Sequence, residues 1–409
     1  MEFSVCPIGC DPVEQDDRPA EQIQSVANKP LCIDLFAGAG GFSLGALKAG
    51  FEIRAAVEHS KHAAATYRKQ IRNTSGRKVA VFEENILELD PYELMEEAGL
   101  TEGRCDLLLG GPPCQGFSSH RLGDSGVDDP RNALLLRYFA FVRAIRPKVF
   151  LLENVPGMLQ TKHADYLEAF LRTAREQGYH VLDPVVVNAQ NYGVPQNRKR
   201  VFILGYDHER MSFGLQWPPQ PSHADPAKIG ESDLLLPWRT AAEAFGNVPV
   251  GDPNNVHMTH KPELIETFRS TPVNGGSRHQ SNRILACHTE HDGHRDVYGR
   301  IDPSKPSPTM TTACINPSKG RFVHPTENHG ITARQAARLQ TFPDDFVFEG
   351  GLMAAGMQIG NAVPVELARS LCAHLRLQLA AVSEGRDMET TNLAVDKKAL
   401  AHEIMRIDG

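Results

Sequence analysis

Residues 110–118 read Gly-Gly-Pro-Pro-Cys-Gln-Gly-Phe-Ser and directly follow the apolar run Leu107-Leu108-Leu109. The run predicts a buried parallel strand. The paired glycines and prolines then make a stiff turn that aims Cys114 just past the strand's carboxyl end. Ligands collect at that end of an open α/β sheet, and a thiolate there is both a strong nucleophile and a good leaving group. Glu153 closes a second apolar run, Val149–Leu152, where a desolvated carboxyl could give or share a proton. Arg198 and Arg200 alternate with Asn197 and Lys199, so an extended strand would turn both guanidiniums to one face. Such a set could supply a nucleophile together with an acid and a cation to receive the charge that develops.

A second constellation lies near the start. Asp34-Leu35-Phe36-Ala37-Gly38-Ala39-Gly40-Gly41 follows a predicted strand and opens a predicted helix. Glycines at 38, 40 and 41 let backbone approach a nucleoside closely. Glu58 ends the next strand, where an acid can grip ribose hydroxyls. Taken alone, this pattern fits NAD as well as S-adenosylmethionine.

The elements that must position these residues alternate regularly. Strands are predicted over Leu31–Phe36, Ile53–Val57, Val79–Phe82, Asp106–Leu109 and Val149–Leu152, with helices over Phe42–Ala49, Ser60–Ile71, Tyr92–Ala98, Ala133–Ile145 and Asp165–Gln177. That β-α-β rhythm predicts an α/β fold with a doubly wound parallel sheet. Val181–Val187 and Arg200–Gly205 add two strands near its end. Beyond Gly205 frequent prolines break any long element, and six of the seventeen histidines fall between His257 and His294. This predicts a smaller, loop-rich domain. Helical periodicity returns at Thr332–Gln340 and Val365–Leu379, segments expected to fold back onto the first domain. Residues 1–29 are acidic and aperiodic and read as a disordered tail. The chain from Ser383 is polar, with one short helix expected over Lys397–Met405.

Composition is that of a globular protein: 409 residues, 41% hydrophobic, 23% charged. No apolar run reaches the ~18 residues of a membrane span, and no secretory signal is apparent. Eight scattered cysteines suit a reducing compartment, so a cytoplasmic protein without membrane contact is expected. The net charge of −7 argues mildly against nucleic acid, but Arg269–Arg338 carries ten Lys/Arg against five Asp/Glu. Phosphate contacts need such a local patch rather than a basic whole. No metal is expected. Cys6 and Cys10 lack a second pair, and Asp292-Gly293 places a turn among His288, His291 and His294.

The Pro-Cys segment resembles the catalytic loop of the DNA (cytosine-5-)-methyltransferase family, and the other motifs resemble that family's in order. Ile33–Ser43 resembles its cofactor loop, Glu153-Asn154-Val155 its acidic motif, and Gln190–Arg200 its basic motif. Arg334–Asp344 and Gln358–Pro364 complete the series, which spans about residues 30–380. The resemblance implies a Rossmann-like S-adenosylmethionine-dependent methyltransferase sheet with a small target-recognition domain. The implied division is a tail over 1–29, a catalytic and cofactor-binding domain over 30–188, the small domain over 189–330, a returning segment over 331–382 and a tail over 383–409.

It further implies methylation of cytosine C5 in a specific duplex DNA sequence, after the base is flipped out of the helix. Cys114 would add to C6, Glu153 serve N3, Arg200 sit near O2 and Arg198 organise the Cys114 loop. Ser118–Asn132 would close over the base. Phe36 would pack on the adenine of S-adenosylmethionine beside Gly38 and Gly40, Glu58 hold the ribose, and Asn85 and Ile86 meet the adenine edge. Asn361 and Ala362 would complete the methionine end. Asn85 stands where family members usually have aspartate, and Gln335 where they usually have glutamate. Pro112, Gln115, Ser118, Gly276, Arg278 and Arg295 are the expected substrate contacts, with target reading over roughly 268–300. A monomer with a possible cognate restriction endonuclease is expected. Other readings explain less. The tRNA cytosine-5 methyltransferases typically carry a Cys-Phe-Thr motif absent here, and amino-methyltransferases have no use for Cys114. A family member retained only as a DNA-binding subunit would be expected to have lost Cys114, Glu153 or the glycine loop. An NAD oxidoreductase leaves residues 112–118 and 196–200 unexplained.

Overall fold

The computed structural model describes residues 29–113, 133–212, 214, 216–230, 234–282 and 296–383. Several expected features lie outside these residues: the acidic tail, the helix at 397–405, the loop 118–132 and the stretch Cys287–His294.

The first half alternates strand and helix as the periodicity requires. It runs through β1 (Leu31–Leu35), α1 (Gly41–Lys48), β2 (Glu52–Val57), α2 (Lys61–Gln70), β3 (Ala80–Phe82) and α3 (Pro91–Ala98). β4 (Leu107–Gly110), α4 (Ala133–Ile145), β5 (Val149–Asn154) and α5 (Ala164–Glu176) follow. Local chemistry sets the ends. In α3, the Asp90 side chain accepts from the Tyr92 N–H, Pro91 takes the first turn, and Gly99 stops the helix at φ 60°. Three strands complete the sheet: β6 (Tyr179–Val181), β7 (Val185–Asn188) and β8 (Lys199–Asp207).

The eight strands lie in the order β3-β2-β1-β4-β5-β8-β6, with β7 also paired to β8. The first five are parallel, whereas β8 runs antiparallel to β5, β6 and β7. The strand order reverses between β1 and β4, so their carboxyl ends open the crevice that ligands use in such sheets. Side chains alternate across the sheet. Ile33, Leu35, Leu108, Phe150 and Leu152 pack with Tyr138, Phe139 and Phe170 on one face. Cys32, Leu107, Leu109 and Leu151 pack with Phe42, Leu371 and Leu375 on the other.

Two expectations need correction. The single strand over Val181–Val187 is two strands, broken where Pro184 lacks the N–H a ladder requires. The small domain does not begin cleanly at residue 189, because β8 is an internal strand of the main sheet, flanked by β5 and β6.

After β8 the described chain holds short elements: paired β9 (His223–Ala224) and β10 (Leu236–Pro237), and α6 (Pro262–Ser270), a helix the periodicity did not suggest. Its hub is Arg300, 1% exposed, which donates to the carbonyls of Phe268, Thr271, His324 and Glu327 and to Asn328 Oδ1. The chain returns through α7 (Ala333–Leu339), α8 (Leu352–Asn361) and α9 (Val365–Ser383). Gln335 caps α7: its N–H donates to Thr332 Oγ1 and its side-chain oxygen accepts from the Thr332 N–H. A glutamine fills that box as well as a glutamate. α9 lies on the sheet beside α1, sharing the cluster of Phe42 and Ala46. No helix among the described residues is long and apolar enough to cross a membrane.

Candidate active site and cofactor crevice

β4, β5 and β8 bring the acidic and basic motifs to the root of the cysteine loop. Cys114, Gln115 and Ser118 lie outside the described residues; the chain is described up to Pro113. The Gly111 N–H donates to the Leu35 carbonyl at 3.3 Å, and Asn154 Nδ2 donates to the Pro112 carbonyl at 3.3 Å. Pro112 is thus buried and anchored before Pro113 emerges to the surface. Glu153 is 8% exposed, and its Oε1 lies 2.8 Å from Arg200 Nε. Its Oε2 lies 3.4 Å from where a Cβ on Gly111 would stand, so the carboxylate sits in contact with the base of the turn.

Arg198 and Arg200 divide their work. Arg200 faces Glu153. Arg198, 1% exposed, donates to the carbonyls of Met310 (2.7 Å), Gly360 (2.8 Å) and Ala362 (3.0 Å). Its described partners are therefore the small domain and the returning segment; the Cys114 loop that it was expected to organise is outside the described residues. Gln196 reinforces the junction, donating to Leu339 O and Gln340 Oε1 and accepting from the Met310 N–H. Sequence reading missed this role for Gln196, and that of Asn154, although both stand inside the motifs.

The other crevice wall is the turn after β1. Gly38 N–H donates to Glu58 Oε2 at 2.8 Å, and Ser60 N–H to Glu58 Oε1 at 2.6 Å. Burial raises the Glu58 carboxyl above its ordinary range, while these two N–H bonds pull it back. Each oxygen keeps a lone pair for a hydroxyl. A Cβ on Gly41 would stand 2.5 Å from the Val363 carbonyl and 3.1 Å from Ala362 Cβ. The missing side chain thus lets residues 362–363 close on the turn across more than three hundred positions of chain. Asn361 is exposed at the end of α8, and Ala362 is buried.

Ile86 is buried and Asn85 half-buried beside the crevice. Asn85 Oδ1 accepts from the Leu87 N–H and its Nδ2 donates to Glu88, so the residue shapes its own turn while one oxygen lone pair remains for an amine. The residues present fit S-adenosylmethionine. A backbone cradle stands open at Gly38, where an added Cβ meets nothing within 4 Å, beside the acid Glu58 and the apolar Phe36 and Ile86.

The small-domain expectations fare differently. Gly276 is required by its own chain, because a Cβ there would stand 2.0 Å from the Pro272 carbonyl. Its carbonyl accepts from the Arg300 N–H and from Arg321. Arg278 is only 5% exposed, in a short 3-10 turn capped by Ser277 and Gln280. Arg295 lies outside the described residues. Among the described residues, no group of three or more His, Cys, Asp and Glu side chains could hold a metal ion.

The family model for C-5 cytosine-specific DNA methylase matches residues 31–376. Type II methyltransferase M1.HphI of Haemophilus parahaemolyticus is 34% identical over 340 residues, covering 83% of this chain and 84% of that protein. Type II methyltransferase M.XorII of Xanthomonas oryzae pv. oryzae is 32% identical over 370 residues, covering 84% of each. Among solved structures, a DNA modification methyltransferase encoded within an E. coli prophage shares the fold, with a TM-score of 0.64 at 24% identity over 86% of this chain and 100% of that one. The chain belongs to the C-5 cytosine-specific DNA methylase family and is a DNA cytosine-5 methyltransferase whose methyl donor is S-adenosylmethionine.

Proposed function

We propose that the enzyme methylates C5 of a cytosine flipped out of duplex DNA, through a covalent bond between Cys114 and C6 of the base. The observation that carries this reading is the Glu153–Arg200 pair at 2.8 Å, set against Gly111, three residues before Cys114 in the sequence. Cytosine C5 is a poor nucleophile until a thiolate adds at C6 and makes it enamine-like. Glu153 hydrogen-bonds N3 and Arg200 meets O2, where negative charge grows as the C6–S bond forms. Bound S-adenosylmethionine supplies an electrophilic methyl group. After C5 takes that methyl, a base removes the C5 proton, the C5=C6 double bond re-forms and the Cys114 thiolate leaves. Glu58, Phe36, Asn85, Ile86, Asn361 and Ala362 hold the donor against this face.

Target reading belongs to the small domain, roughly residues 268–300, with Arg295 among its contacts. As the relatives are Type II methyltransferases, we place the enzyme, as a monomer, beside a restriction endonuclease of the same specificity. DNA carrying 5-fluorocytosine tests the chemistry, because fluorine at C5 cannot leave as a proton. A denaturant-resistant protein–DNA adduct is expected with the native enzyme and cofactor, and none with Cys114→Ser. Methyl transfer retained by Cys114→Ser would rule out the covalent route.

A further inference from the structure

Three buried polar side chains underlie the glycine turn and take no part in the chemistry above. Asp34, Ser43 and Tyr67 are 1%, 0% and 0% exposed. Ser43 Oγ lies 2.6 Å from Asp34 Oδ2 and 2.6 Å from the Tyr67 hydroxyl. Serine has one proton to give and the carboxylate takes it, so Tyr67 donates to Ser43 and Ser43 to Asp34. The Tyr67 ring also supports the turn directly, since a Cβ on Gly40 would stand 3.0 Å from it. Above this chain Phe36, Gly38 and Gly40 have φ of 59°, 56° and 97°. A phenylalanine in the left-handed region persists only where its surroundings over-determine it. Thr66, next to Tyr67 on α2, donates to Gln358 on α8 at 2.6 Å. One helix thereby grips both the turn after β1 and the returning helix that ends at Asn361.

We infer that Tyr67 is a positioning residue for S-adenosylmethionine, holding the turn Phe36–Gly40 in its binding shape through Ser43 and Asp34. The inference rests on the assignment of that turn to the cofactor. The groups around Asp34 are Glu58 at the end of β2, Tyr67 on α2, Cys32 on its own strand, Tyr138 on α4 and Cys372 on α9. Burial raises the Asp34 carboxyl to about 7, with the Ser43 bond lowering it and Glu58 raising it further. Without the Tyr67 hydroxyl, Ser43 binds the carboxylate less well, and Asp34 takes its proton at higher pH.

Calorimetric binding of S-adenosylhomocysteine tests this in Tyr67→Phe, Ser43→Ala and Glu58→Ala across about pH 6–9, with melting of the free proteins alongside. Tyr67→Phe and Ser43→Ala are expected to raise Kd about tenfold near neutral pH and to move the acid limb of the binding curve upward. Affinity for DNA without cofactor should be unchanged. Should Glu58→Ala weaken binding while Tyr67→Phe and Ser43→Ala bind like the native enzyme, the inference fails. Should none of the three weaken it, the cofactor assignment fails instead. Weaker binding in Tyr67→Phe with an unmoved pH curve also overturns the inference, leaving only a packing role.

Discussion

Arg200 Nε lies 2.8 Å from Glu153 Oε1, with side-chain exposures of only 14% and 11%. The contact is built by the sheet, because antiparallel pairing sets Glu153 opposite Phe202 and Asn154 opposite Val201. Two residues far apart in sequence therefore meet on a rigid element, as a reacting pair requires.

The two partners should respond differently to mutation. Glu153→Gln keeps an acceptor for Arg200 but cannot carry a proton to the base. It should lower kcat about 10²–10⁴-fold with a nearly native melting temperature. Arg200→Ala leaves a nearly buried carboxylate without its cation, a loss of about 3 kcal/mol for enclosed pairs, so it should lower both kcat and denaturant stability. Equal stability of the two variants would refute this division.

How far the sequence revealed this arrangement depends on the kind of signal. Continuous apolar runs at Leu107–Leu109 and Val149–Leu152 exposed the parallel strands, since strands covered on both faces read that way. The glycine and Pro-Cys turns were legible because they punctuate those runs. Helix α8 was not, for its Gly356 and Gly360 weaken any helical signal. The structure supplies the reason: a Cβ at 356 would stand 2.8 Å from Ile315, and one at 360 would stand 2.2 Å from the Thr311 backbone. The buried arginines were also illegible. Arg198 binds carbonyls at 310, 360 and 362, and Arg300 carbonyls at 268, 271, 324 and 327, and nothing in local sequence marks such distant acceptors.

Arg198 joins the small domain to the turn that closes on Gly41. A lysine keeps the charge but lacks the planar fork that reaches three carbonyls at once. Arg198→Lys should therefore loosen residues 358–364 with little effect on the core of the sheet. Hydrogen exchange would show faster exchange there and unchanged protection in β1 and β4. Uniform protection throughout would mean that Arg198 does not hold the returning segment.

His324 makes the small domain sensitive to acid. Its Nδ1 accepts from the backbone N–H groups of Glu327 at 3.0 Å and Thr326 at 3.3 Å, so the ring must be neutral with its proton on Nε2. The residue is 8% exposed, edge-on to Phe245 and near His329. Burial, with His329, Arg300 and His257 adding to it, lowers its pKa from 6.5 to about 4. The unfolded chain then binds this proton more readily than the folded one below pH 6.5. Stability is complete above that value and falls as pH drops toward 4, by up to about 3 kcal/mol. Asparagine can accept the same N–H groups without titrating. His324→Asn should thus lose less stability between pH 7.5 and about 4.5 than the native chain, as measured by urea unfolding at both values. His374, also lowered to about 4, acts in both proteins, so the difference between the two curves reports His324 together with its coupling to His329. Parallel losses in the two proteins would show that His324 does not set the acid limit.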